Sequence, residues 1–110
     1  MMELTKTERL ANLYSYYGSL LTKSQQKYCE SYYYDDLGLT EIADNFQVSR
    51  QAVYDNIKKT AKLLEKFEAK LHFYSDLTKI DQLAEEAEKS DDLDAIKVQL
   101  AKIQKIVRGD

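Results

Sequence analysis

The residues best equipped for recognition chemistry follow Ser49. Ser49, Arg50, Gln51, Tyr54, Lys58 and Lys59 bring a hydroxyl, a guanidinium, an amide, a phenol and two ammonium groups into one short stretch. Arginine and glutamine pair with base edges in the DNA major groove, and lysines neutralise backbone phosphates. These six are the candidate DNA-binding residues. No comparable set exists for catalysis. Cys29 is the only cysteine and His72 the only histidine, so a Cys/His metal cluster cannot form within one chain. Any Ser-His or Cys-His nucleophile would have to use His72. Asp35 and Asp36, with Glu30 and Glu41 nearby, read as helix-end acids, since no calcium-binding loop pattern surrounds them. Gly18, Gly38 and Gly109 are the only glycines and make no phosphate-binding loop. The expectation is a non-enzyme with no cofactor and no metal.

Side chains at such spacing must be carried by helices. The 110 residues include no proline and only three glycines, too few turn formers for a sandwich or barrel. The chain is 44% hydrophobic and 32% charged, with a formal net charge of −3, which fits one globular domain or a small domain with an appendage. No apolar run is long enough to cross a bilayer. The opening MMELTKTERL carries Glu3, Lys6, Glu8 and Arg9 and does not read as a signal peptide. A cytoplasmic location is the expectation.

Leu10, Leu13, Tyr14, Tyr17, Leu20 and Leu21 predict a first helix from about Thr7 to Leu21. Thr22-Lys23-Ser24-Gln25 is a capping box opening a second, whose inner side includes Tyr28, Cys29, Tyr32 and Tyr33. Gly38 is suited to end it in a left-handed conformation. Thr40 is expected to cap a short third helix. Ser49 is expected to cap a fourth, kept apolar on one side by Val53, Ile57, Ala61, Leu64, Phe67, Leu71 and Tyr74. Asp76 would cap a fifth helix, and Ser90-Asp91-Asp92 is expected to be a turn that caps a sixth. On the sixth, Leu93, Ile96, Leu100, Ile103 and Val107 form a heptad-like seam with Ile106 beside it.

Leu39 to Ile57 carries the pattern of a helix-turn-helix. Ala43 is small where two helices must cross closely, Val48 is placed to plug the turn, and Val53 and Ile57 hold the second helix from inside. Ser49 then leaves Arg50, Gln51, Ala52, Tyr54 and Asp55 at the leading end, with which such helices read DNA. Tyr32-Tyr33-Tyr34 cannot make one stacking platform, because consecutive helical residues diverge by about 100°.

Leu21-Thr22-Lys23-Ser24-Gln25, the aromatic Tyr32 to Leu37, Glu41-Ile42-Ala43 and Val48-Ser49-Arg50 together resemble region 4 of bacterial sigma factors. The chain has no room for the promoter-melting region that a sigma factor also needs. Thr7-Glu8-Arg9 through Thr22 and the Tyr-Tyr-x-Asp-Asp-Leu stretch extend the likeness to nearly the whole chain, which resembles the YlxM family of small helix-turn-helix proteins. That resemblance implies a DNA-binding regulator, linked to the signal recognition particle pathway. Against the sigma pattern, Ala52 and Tyr54 stand where arginines are usual, and Asp55 would face phosphates. Residues 22–74 carry no net charge and residues 75–110 carry −3.

The expected protein is all-α. Residues 1–74 form a sigma-region-4-like head with a long fourth helix. Residues 75–110 form a helical hairpin that packs on helix four and builds a homodimer. Its expected role is DNA-binding regulation. The alternative is an interaction module that contacts signal recognition particle components without reading DNA. RNA binding is a third and weaker reading.

Overall fold

The computed structural model describes residues 8–109. Among these, helices account for nearly everything and no strand occurs, as an all-α reading requires. Thr7, where the first helix was expected to begin, lies outside the described residues. The chain divides into two units, the first ending at Leu71 and the second beginning at His72.

In the first unit, α1 (Glu8–Tyr17) buries Leu13, Tyr14 and Tyr17. A single 3-10 turn follows, starting at Gly18. A Cβ there would lie 3.0 Å from the Tyr14 ring, so glycine allows a close approach that a side chain would disturb. The capping box of α2 (Lys23–Cys29) forms as expected: Thr22 Oγ1 accepts the Gln25 N–H at 3.1 Å, and Gln25 Oε1 accepts the Thr22 N–H at 3.0 Å. The helix then widens into a π-helical turn, Glu30–Tyr34, closed by the Asp35 N–H donating to Glu30 O. Tyr32 is buried, Tyr33 half-buried and Tyr34 exposed, so the three rings do not share a surface.

The helix stop differs from expectation. Asp36, not Gly38, is left-handed (φ 56°), and Gly38 is extended (φ −77°, ψ 165°). The Leu37 N–H reaches back to Ser31 O at 3.0 Å, which puts the reversal at Asp36, a residue type that tolerates this region. Thr40 is not a cap either. It lies inside α3 (Leu39–Phe46), while the Glu41 carboxylate accepts the N–H of Gly38, the residue before the helix.

Gln47, also left-handed, ends α3, and the Val48 N–H donates to Ala43 O at 3.0 Å. The Ser49 hydroxyl accepts the Ala52 N–H at 3.0 Å and so starts α4 (Arg50–Leu71) as expected. Ile42, Ala43, Val53 and Ile57 close around Tyr32, with Tyr28, Leu37, Leu39 and Phe46 packed outside them. Val48 was expected to plug this turn. It stays 38% exposed and outside that cluster. Further along α4, Thr60, Leu64 and Glu68 are buried. Tyr17 donates its hydroxyl to Glu68 Oε1 (2.5 Å) and Arg9 pairs with Glu65 at 2.9 Å, tying α1 to α4.

Helix α4 stops at Leu71 rather than Tyr74, because His72 is left-handed (φ 59°). In the second unit α5 (Phe73–Lys89) therefore begins three residues before the expected cap, Asp76. Asp92 caps α6 (Leu93–Arg108) by accepting the Asp94 N–H, and Gly109 (φ 77°) ends it. Neither helix contains a buried residue. The half-buried line on α6 is Ile96, Gln99, Ile103 and Ile106. Leu93, Leu100 and Val107, expected in the seam, are exposed. Two helices alone can cover only one side of each other, and the isoleucines occupy that side.

Candidate nucleic-acid interface

The leading end of α4 is held from inside and open outside. Val53 and Ile57 anchor it in the core, while Arg50, Gln51, Ala52 and Asp55 are exposed. Ser49 is itself exposed and serves the backbone as a cap. The sequence-predicted residues do not all meet on one surface. Tyr54 is half-buried, with Lys58 Nζ 5.9 Å from its ring centroid, close enough for a cation–π contact. Gln51 donates its amide to Asp55 Oδ1 at 2.9 Å. The glutamine suited to read a base is thus held by a carboxylate that would repel phosphate. Arg50 and Lys59 stand nine positions apart, about half a turn around the helix, so one groove cannot receive both. Lys58 and Lys62 fall on the outward side with Gln51.

Two basic residues beside this helix were not singled out from the sequence. Lys23 and Lys27, one turn apart on α2, line an open cleft with Ser24, Tyr28 and Phe46. Phe46 is the last residue of α3, and its ring meets Tyr28 edge-on at 5.1 Å. The cleft therefore borders the turn of the helix-turn-helix. The sequence holds only a weak signal for it, the i, i+4 repeat of Lys23 and Lys27. The nearness to Phe46 comes from packing.

The interior of this unit is built for support. Burial, reinforced by neighbouring Glu30, pushes the Cys29 thiol up from its ordinary 9.0 to about 12, so it stays protonated and unreactive. Tyr14, Tyr32 and Tyr33 are all raised, chiefly by burial. Tyr14 also donates a 2.7 Å hydrogen bond to Glu30. No described helix is long and apolar enough to cross a membrane.

This arrangement has clear relatives. Residues 4–105 match the UPF0122 family, described as "Putative helix-turn-helix protein, YlxM / p13 like". A UPF0122 protein of Streptococcus gordonii is 49% identical over 110 residues, covering 99% of this chain and all of its own. The UPF0122 protein YofM of Lactococcus lactis is 48% identical over 106 residues, covering 96% of each chain. One from Streptococcus suis is 56% identical over 85 residues, covering 77% of this chain and 75% of its own. With a match spanning nearly its whole length and relatives this similar end to end, the chain belongs to the UPF0122, YlxM-like helix-turn-helix family.

Proposed function

We propose that the protein is a DNA-binding regulator that reads DNA with the leading end of α4. The observation that carries this reading is the Ser49-capped helix, anchored by buried Val53 and Ile57, whose first turns leave Arg50 and Gln51 exposed. Arg50 is the base-contacting candidate. Tyr54 and Lys58 flank it, and Lys23 and Lys27 are placed for backbone phosphates beside the turn. Lys59 lies on the far side of the helix from Arg50 and contributes little. Two heads joined as a homodimer would double the phosphate contacts that a neutral head makes weakly. The resemblance to sigma region 4 supports the docking mode, with α4 in the major groove.

Fluorescence anisotropy with duplex DNA, titrated at several salt concentrations, tests this. Arg50→Ala should weaken binding by about 1–3 kcal/mol if it contacts a base, and Lys23→Gln should lower the salt slope by about one. No binding to any duplex at low salt would remove the reading.

A second reading has its own support. The Gln51–Asp55 pair and the balanced charge of residues 22–74 suit a protein surface better than a phosphate backbone. On that reading the head is an interaction module for signal recognition particle components, the pathway implied by the YlxM resemblance. Retention of such components on the immobilised chain, lost on Arg50→Ala, would favour it over DNA reading.

A further inference from the structure

The two sides of the α5–α6 hairpin differ. On one side Lys79, Gln82, Glu86, Lys102 and Lys105 surround Leu83 and Ile106 in an open cleft with a charged rim. The other side is apolar. Leu93, Leu100 and Val107 recur every seven residues, so they stay within a sector of about 40° on α6. They are 62%, 51% and 70% exposed. This stripe lies about 90° around α6 from the half-buried Ile96, Gln99, Ile103 and Ile106 that face α5. On α5, exposed Leu77 and Ala84 lie about 75° from the half-buried Ile80, Leu83 and Ala87. In an antiparallel pair these two rotations lead to the same side, opposite the charged cleft.

Contact directions roughly a right angle apart are what each helix of a four-helix bundle needs: one neighbour within the hairpin, one across. We propose that the occupant of the apolar side is a second copy of the same hairpin, and that α5 of each copy lies against α6 of the other. Charge selects this pairing. Helix α5 carries five acidic and two basic residues, whereas α6 carries one acidic and four basic. Packing α5 on α5, or α6 on α6, would bring like charge together. Packing α5 on α6 sets Asp81 and Glu88, at the rim of the α5 stripe, near Lys97 and Arg108, at the rim of the α6 stripe. Size points the same way. A hairpin of under 40 residues without one buried residue has no core of its own, and units this small usually need a partner surface. This homodimer surface does not depend on what the head binds.

The test is sedimentation equilibrium of the full chain at micromolar concentration. Twice the 12.8 kDa chain mass is expected. Leu100→Asp with Val107→Asp should raise the dissociation constant at least a hundredfold. Both positions are exposed within the single chain, so circular dichroism should still show a helical protein. Charge reversal gives a second arm. Lys97→Glu/Arg108→Glu makes α6 acidic, and Asp81→Lys/Glu88→Lys makes α5 basic. Each variant alone should dimerise at least tenfold more weakly at low salt, and an equimolar mixture should recover the dimer as a heterodimer. A wild type that sediments as a single chain overturns the proposal. So does a dimer that survives Leu100→Asp/Val107→Asp, or charge variants that associate alone as well as they do mixed.

Discussion

Residues 8–71 and 72–109 are both helical and both amphipathic, yet they solve burial differently. In the first unit α1, α2 and α3 all pack against α4. Leu13, Tyr17, Ile42, Val53, Ile57 and Leu64 are wholly removed from solvent. In the second, α5 and α6 meet along one line, and no whole residue on either helix is buried. Helices that cross from several directions enclose a volume, while two antiparallel helices share only a seam. Apolar spacing alone therefore says that a helix has an inner face, not that the face is covered. The head can hold α4 at fixed geometry without help. The hairpin has no enclosed core of its own.

This contrast can be broken in several ways, from the largest expected effect downward. Ile57→Ala should cost about 2–5 kcal/mol, since a fully buried side chain leaves a cavity among Ile42, Val53 and Tyr32. Urea titration followed by circular dichroism measures it. A loss no larger than that of Ile103→Ala, half-buried in the hairpin, would erase the distinction between the units. Tyr17→Phe comes next. It removes the hydroxyl that donates to buried Glu68 and should cost about 1.5–3 kcal/mol, because a bond to a carboxylate inside the core is lost. An unchanged melting temperature would mean that this link does not bind α1 to α4.

Alkaline pH should act on the head. The Cys29 thiol and the Tyr14, Tyr32 and Tyr33 phenols have pKa values raised by folding, so the unfolded chain gives up these protons first. Their stabilising contribution is complete below about pH 9 and is lost as pH climbs toward about 12. Denaturation midpoints between pH 8 and 11 should therefore fall. Cys29→Ala should reduce that fall by about one proton per molecule. Midpoints that stay level across this range would contradict the assignment. The smallest change is in the hairpin. Gln99 Oε1 is buried without a hydrogen-bond partner among the described residues. Gln99→Leu should stabilise the chain by about 1 kcal/mol, read as a small rise in melting temperature.

The periodicity and capping signals of this chain specify their elements locally. Thr22-x-x-Gln25 makes its capping box and Ser49 its cap, because such bonds join residues three apart and need no distant partner. Ala43, Val53 and Ile57 were legible as the inner side of the helix-turn-helix for the same reason, and so was the exposed position of Arg50. Other features depended on groups far away in sequence. Val48 stands outside the core that Tyr32, Ile42, Val53 and Ile57 close from separate elements. The reversal falls at Asp36 because Leu37 bonds back to Ser31, and the break at His72 has no glycine or proline to announce it. Lys23 and Lys27 joined the candidate interface only when folding set α2 beside Phe46. On α6 the spacing marked six apolar positions without ranking them. The packing of α5 decided that the isoleucines turn inward and that Leu93, Leu100 and Val107 remain outside, since one neighbouring helix can cover only one sector of another.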